Sequence, residues 1–485
     1  MIDAGRLIHY NAATHFCKQM PLLTFSNTSF GHIGPKEACE GWGLKKPRSK
    51  MYATSSAPSF LRTLRRSLHL SLGILATLGA DAFARETPKV LPKGVHRARL
   101  VGVVTSDVSE TFNERGQSQS LAYSLNRSLT VNDLAANADA TTGQKLQTLM
   151  TSLNTLESGL GTKLGNSAVN LYSDLSVQQQ ISLFAFEKGV TDRLSLGIRA
   201  PVIRRTVRNR FWVDPNQTAG AISGVVGELS ADVKAGLGNL AALDTDSFEN
   251  SLFASKGYSS PRDFEKTQLG DVEFGGKYNF FRTDDLYSSV LLGIGAPTGA
   301  PADLQNPFDK GNSKEAWCYA VQLLQEVYPT RNLTFGGAAK IGYSLKDTRD
   351  RAVPKNENDS LPSLLPQDGQ VQSVTRQRGA QFESELSAHY KFAGDKFGIW
   401  SAYQYSNKTK DSFSGPGPLY YAGLEKNTDW SLQAGEVGVE FSTIPLFRKG
   451  SFKVPLEVSL LHNRALEGKN TPRVSYTRMD FMVYF

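Results

Sequence analysis

From about residue 172 to the end of the chain, apolar and polar side chains alternate with a period of two, segment after segment. Phe382, Ser384, Leu386, Ala388, Tyr390 and Phe392 fall on one face, and Gln381, Glu383, Glu385, Ser387, His389 and Lys391 on the other. Leu333 to Ser344 and Asp271 to Phe280 repeat the pattern. A period of two is the period of a strand, because successive side chains point to opposite faces. A soluble sandwich alternates in the same way, so the connections have to decide. Tight turns fall at Thr191-Asp192-Arg193, Thr283-Asp284-Asp285, Thr330-Arg331-Asn332 and Gly394-Asp395-Lys396, with a slightly longer one from Ile444 to Ser451. Between them lie long connections, about 108–170, 213–265, 297–314, 346–378 and 408–428, and a short last one near 466–471. Structureless loops of that length argue against a compact soluble domain. Short turns alternating with long loops are the asymmetry of a membrane barrel, with periplasmic turns on one rim and extracellular loops on the other. The reading is therefore all-β, an antiparallel transmembrane β-barrel of about 12 strands (10 to 14), with short helices in long extracellular loops. Its strands are 93–106, 172–188, 194–211, 267–282, 286–297, 315–328, 333–346, 379–393, 396–408, 429–443, 452–465 and 472–485.

The last of these strands is the most specific. Thr477, Met479, Phe481, Val483 and Phe485 alternate with Arg478, Asp480, Met482 and Tyr484. A final alternating strand ending in Phe resembles the carboxy-terminal signature of bacterial outer-membrane proteins. That resemblance implies that Phe481, Val483 and Phe485 form an assembly signal read by the barrel-assembly machinery. Aromatic girdles are expected at both interfaces. Phe280, Phe281, Phe392, Phe397, Phe447 and Phe452 sit beside the short turns, and Tyr343, Tyr403, Tyr405 and Trp430 towards the long loops.

The front of the chain is an address. Leu61 to Ala84 has a basic stretch (Arg62, Arg65, Arg66), an apolar run from Leu68 to Ala80 and the closing Ala82-Phe83-Ala84. This is the layout of a secretory signal. An apolar run of about 13 residues is too short for a spanning helix, which needs about 20. The reading is an upstream extension over 1–50, with Met51 as the start, a signal peptide over 51–84 cleaved after Ala84, and a barrel over 85–485. Removing the front also removes the charge. Residues 1–84 hold ten Lys/Arg and four Asp/Glu of the whole chain's 54 and 46, so the net charge falls from +8 to +2. Nothing then carries the electrostatic footprint of nucleic-acid binding. Of the cysteines, only Cys318 lies after Ala84, which leaves no internal disulfide and no cysteine zinc spacing.

By parity the lumen set comprises Arg199, Asp271, Glu273, Lys277, Lys340, Glu383, Glu385, His389, Lys391, Glu440, Glu457, Arg478 and Asp480. Acids and bases are mixed. That fits a network of salt bridges filling a small pore, or a polar track for a solute, rather than the single-signed ring of an ion-selective channel. Gln144 to Gly159 sets Leu146, Leu149, Met150, Leu153 and Leu156 on one helical face, and Gly224 to Leu243 offers a second apolar face. Such helices would pack across the barrel mouth and gate it, or line an apolar vestibule. No G-x-S-x-G, H-E-x-x-H or P-loop motif occurs, so no catalytic residues, metal or cofactor are assigned. His389 shares a face with Glu385, which keeps an outer-membrane hydrolase as a minor alternative. A structural or adhesive barrel working through its loops is another.

Gly270-Asp271-Val272-Glu273-Phe274-Gly275-Gly276-Lys277-Tyr278, followed by Gly293-Ile294-Gly295-Ala296-Pro297-Thr298-Gly299, resembles a group of outer-membrane barrels known as phenol-degradation meta-pathway proteins. That group is similar to long-chain fatty-acid transporters. Thr191 to Ile198 looks like the hairpin preceding this pattern. The resemblance covers roughly 180–300 and implies uptake of small, hydrophobic molecules across the outer membrane, in contact with its lipid and lipopolysaccharide. The Asn-Pro-Ala plug signature of the fatty-acid transporters is not apparent.

Overall fold

The computed structural model describes residues 86–123, 125–130, 140–156, 169–214, 244–254, 258–306, 308–357 and 370–485. The leader over 1–84 and the second loop-helix pattern, 224–243, lie outside the described residues. In chain order, β1 (His96–Thr105) precedes the short strands β2 (Glu110–Phe112), β3 (Ser118–Ser120) and β4 (Arg127–Leu129) and helix α1 (Ala140–Leu156). The longest hairpin follows, β5 (Val169–Thr191) and β6 (Leu194–Asp214). After α2 (Thr245–Leu252) come β7 (Phe264–Leu269), β8 (Val272–Arg282), β9 (Leu286–Ala296), β10 (Cys318–Val327) and β11 (Leu333–Ser344). Next are β12 (Asp347–Ala352), β13 (Val371–Gln377), β14 (Gln381–Phe392), β15 (Phe397–Lys408), β16 (Ser412–Ser414) and α3 (Ala422–Glu425). The chain ends with β17 (Trp430–Ser442), α4 (Ile444–Arg448), β18 (Leu456–Lys469), β19 (Thr471–Pro472) and β20 (Ser475–Tyr484).

Twelve of these strands make one closed antiparallel wall, in the order β5-β1-β20-β18-β17-β15-β14-β11-β10-β9-β8-β6, with β6 returning to β5. β7 continues the line of β8 along β6 beyond Gly270-Asp271, and β4 caps the upper end of β5. First and last strands meet. The register runs from Arg97↔Tyr484 to Thr105↔Tyr476, and His96 and Phe485 each donate their N–H to the other's carbonyl, at 2.7 and 3.0 Å. β1, whose alternation Arg97 and Arg99 interrupt, is thus a full wall strand. β5 and β6 run longer than the pattern suggests, because their outer faces turn polar above the membrane while their inner faces stay buried.

Parity decides which face meets lipid. Outward residues are apolar and stay exposed although fully flanked by neighbouring strands: Leu386 is 69% exposed, Val437 61%, Ile341 61% and Leu292 56%. A band this continuous is stable only against hydrocarbon, and only a closed barrel satisfies all strand hydrogen bonds there. Rings cluster at the short-turn rim. Phe485 lies 5.5 Å from His96 and 6.3 Å from Phe186, and Phe397 lies 5.9 Å from Phe392 and 5.3 Å from Phe441. At the other rim Tyr343 and Tyr403 face outward, but Trp430 does not: its register opposite Lys408 turns it inward, where it is buried beside Leu432.

The upper barrel is filled rather than open. Val108, Leu121, Ala122 and Leu125, from the first loop, pack with Val103, Leu175, Val177 and Ile181 on the inner wall. α1 forms where the helical pattern predicts it. Met150 on it is half-buried, and the side chains of Leu146, Leu149, Leu153 and Leu156 lie outside the described residues.

Phe485→Ala removes two ring contacts at the seam, each worth about 0.5–1.5 kcal/mol beyond the area it covers. The variant is expected to lose its SDS-resistant folded form at a lower temperature than wild type on gels of unboiled samples; an unchanged transition would contradict the role given to this ring.

Candidate functional site

Alternation delivers the charged face of every wall strand into the lumen, where charges survive only if partnered. The partners come mostly from the adjacent strand. Arg199 on β6 holds Glu273 on β8, and Lys314 approaches Glu273 from the loop above at 3.4 Å. Lys340 on β11 faces Glu383 on β14 at 3.4 Å, and Gln381 also donates to Glu383. Glu385 accepts from Gln404 at 3.1 Å. Arg99 and Arg478 share Asp480 at 3.0 and 2.9 Å. Near the short-turn rim, His389 and Lys391 lie 3.7 and 3.6 Å from Glu440, and Tyr484 donates to Glu457 at 2.5 Å. His389 needs the missing side chain of Gly398, because a Cβ there would stand 2.4 Å from its Nε2.

These groups surround a chamber of about 230 Å³, far above the ~10–15 Å³ that one water occupies on the same measure. Arg199, Glu273, Lys277, Lys340, Glu383 and Glu385 line it. Gly197, Gly293, Gly295, Ala320 and Ala338 line it too, interspersed on the same stretch of wall with Arg199, Lys277 and Lys340. Their small side chains make the space.

Two segments close the chamber above and below. Below, residues 86–94 run along the inner wall from the short-turn rim. Lys277 Nζ donates to Glu86 at 2.8 Å and to the Thr87 carbonyl at 2.9 Å, and Ser289 donates to the Pro88 carbonyl. The Leu91 N–H donates to Ser195 Oγ at 2.8 Å, and Lys89 sits over the Tyr328 ring at 4.6 Å. The strap passes so close to Gly189 that a Cβ there would lie 2.0 Å from the Pro92 carbonyl oxygen. Above, the connection between β9 and β10 folds into the mouth. Asp271 pins both its ends, accepting from Gly299 N–H at 2.8 Å, Ser313 Oγ at 2.9 Å and Lys314 N–H at 2.6 Å. Phe308 at its centre is fully buried, and Lys266 grips Asp309 at 2.8 Å.

Outside the membrane, β12, β13 and β16 form a small separate sheet. Glu315 ties the inward loop to it, accepting from Arg351 at 2.8 Å and Arg376 at 3.0 Å, while Asp347 takes the same two arginines at 2.5 and 2.8 Å. Glu315 holds a left-handed φ of 64°, a strained conformation that the arginines enforce. Burial alone would raise its carboxyl, but Arg351 and Arg376 prevail and hold it below its ordinary 4.5. Burial, with Arg378 and Arg351 nearby, brings the Arg376 guanidinium down to about 10.

The chain is a closed antiparallel β-barrel with an apolar outer belt. No family profile and no curated protein matches it. Solved structures do. An outer-membrane channel from Pseudomonas putida F1 is 10% identical over 83% of this chain and 99% of its own, with a TM-score of 0.45. The P. putida toluene transporter TodX is 9% identical over 81% and 90%, at 0.31, and a Pseudomonas aeruginosa FadL homologue 9% identical over 81% and 90%, at 0.29.

The thirteen charged residues assigned by parity do not form one site. Six line the chamber, Asp271 anchors the upper loop, Arg478 and Asp480 pair with Arg99, and His389, Lys391, Glu440 and Glu457 lie nearer the rim. Glu385 does not orient His389, because it is taken by Gln404 and the imidazole faces Glu440. Arg99 and Lys408 also line the chamber and share the parity, so alternation could have named them. Glu86, Lys314 and Arg378 come from irregular segments, where no period marks a side chain's direction.

Lys277→Met strands Glu86 in a confined place, and breaking such a pair costs about 3–5 kcal/mol. The temperature at which the barrel loses SDS resistance is expected to fall, and to recover in Lys277→Met/Glu86→Gln. For Glu315 the folded carboxyl titrates below its unfolded value. Its stabilisation is therefore complete above about pH 4.5 and is lost as pH falls through the lower folded value. Protection of the amides in 298–316, taken relative to the intrinsic exchange rate at each pH, is expected to fall on that descent in wild type, and to be low already at pH 7 in Glu315→Gln.

Proposed function

We propose that this barrel is an outer-membrane channel that admits small molecules through its lumen. The observation that carries the reading is the chamber: a formed space of about 230 Å³ inside a closed wall, bounded by a strap and an infolded loop that are themselves held by a few polar contacts. The family resemblance and the transport proteins among the matched structures support a hydrophobic cargo. The chamber adds a condition. Its small Gly/Ala positions and the ionised pairs among them suit a solute with an apolar body and a polar group, rather than a plain hydrocarbon. The reading includes gating by the loops above the chamber, assembly by the barrel-assembly machinery through the last strand, and contact with outer-membrane lipid and lipopolysaccharide.

Liposomes carrying the protein test it. Solute entry, followed by swelling, is expected to be faster for small amphipathic acids and alcohols than for sugars of similar mass. Ala338→Trp, which puts a large ring into the chamber where a methyl group stands, is expected to abolish most of that entry while the protein keeps its heat-modifiable band. Equal entry in wild type, the filled variant and empty liposomes would sink the channel reading.

A further inference from the structure

The outward face of β6 changes chemistry part-way along. Leu196, Ile198, Ala200 and Val202 continue the lipid belt. The same face then presents Arg204, Thr206, Arg208, Arg210 and Trp212, while Ile203, Arg205, Val207 and Asn209 between them stay buried inside. A membrane strand needs about 9–11 residues, so roughly ten of the 21 in β6 stand above the hydrocarbon. β18, β20 and β5 turn polar at the same level with His462, Thr477 and Gln180, while β1 keeps the apolar Val104 there. The register His462↔Thr477↔Val104↔Gln180↔Arg204 is one continuous row across β18, β20, β1, β5 and β6. His462 and Arg204 stand at its ends, four strand spacings or ~19 Å apart. Higher up, Arg210 lies 5.6 Å over the Trp212 ring, which stacks on Tyr172 at 5.3 Å with planes 16° apart. Both rings are exposed.

Each of the three arginines has one carboxylate beside it. Glu265 meets Arg204 at 2.8 Å and Asp107 meets Arg208 at 3.7 Å. Asp174 stands opposite Arg210 in the register. These pairs are half or more exposed, so they are weak and open to exchange.

We propose that this face is a binding site for the headgroup of the phosphorylated glycolipid of the outer leaflet, lipopolysaccharide. Arg204 and Arg208 take its phosphates, and the Trp212–Tyr172 platform takes sugar rings of the core. The proposal rests on the outer-membrane reading above. Guanidinium forks match phosphate oxygens in pairs, which a lysine cannot do. The vertical order also matches the ligand: acyl chains against Val202 and Ile198, phosphates one step higher, sugars higher still. A soluble acidic protein would have to press against the lipid surface to reach Arg204, whereas the headgroup of a neighbouring lipid is already there.

The test uses the purified full barrel in detergent, with lipopolysaccharide, the same lipid after phosphatase treatment, and phosphatidylglycerol as probes. Native mass spectrometry reads retention, and the SDS-resistance midpoint reads stabilisation. Wild type is expected to retain intact lipopolysaccharide and to be stabilised by it, and to respond to neither other lipid. Arg204→Gln/Arg208→Gln is expected to bind it roughly tenfold or more weakly, given the usual worth of hydrogen bonds to a charged group. Equal response to the dephosphorylated lipid or to phosphatidylglycerol would overturn the proposal. So would unchanged binding by the double variant. The wild-type comparison decides the matter even where a variant folds poorly. Failure of wild type itself to show a heat-modifiable band would instead count against the outer-membrane reading.

Discussion

Hydrocarbon offers no hydrogen bonds, and this constraint orders everything else in the molecule. Each backbone amide of a spanning strand has to find its partner on another strand, so a sheet with two free edges cannot sit in a bilayer. The chain meets that demand at one place above all, the seam where His96 and Phe485 exchange backbone hydrogen bonds and β1 lies along β20. The seam joins residues at opposite ends of the barrel sequence. It explains why Arg97 and Arg99, out of place in a simple reading of amphipathic alternation, are harmless. They face the lumen, where Glu187 and Asp480 receive them at 2.5 and 3.0 Å.

Closure creates an interior that must be filled or watered. This barrel does both. Its upper part is packed by the first loop and by the infolded connection that carries Phe308, and its rim by the strap over 86–94. Between them the wall charges find partners on the adjacent strand, on the strap or on the loop above, as Arg199 does in Glu273, Lys277 in Glu86 and Asp271 in the loop amides. Partnering in that confined space is close to obligatory, because an unmatched charge there costs several kcal/mol.

Strand positions, their number, the direction of each wall residue and the identity of the two rims were legible in the sequence, because a strand's alternation is local and does not depend on what the strand pairs with. Of the two helical patterns, one lies among the described residues. α1 is a helix, but what its apolar face meets is a matter of tertiary contact that periodicity does not contain. Trp430 sits inward by the same unbroken alternation that points Glu440 into the lumen, so its level near the long loops did not by itself make it a girdle residue. Most of the extension of β5 and β6 beyond the membrane was legible as well, in strands read over 172–188 and 194–211; only the last few residues at their ends were not, because the outer face becomes polar there and the alternation fades.

The sequence by itself determined that this chain closes into a barrel of about twelve strands and which side chains face lipid, since both follow from a period of two and from the lengths of the connections. It also determined that the lumen would carry both signs of charge. Only the tertiary structure decided which charges meet, that Glu385 serves Gln404 rather than His389, and that Asp271 anchors a loop rather than a solute. Only the tertiary structure brought Glu86 to Lys277 and Glu315 to Arg351 and Arg376. Those partners lie on irregular segments or distant strands, and their approach depends on how the closed wall curves them together, which no local pattern encodes.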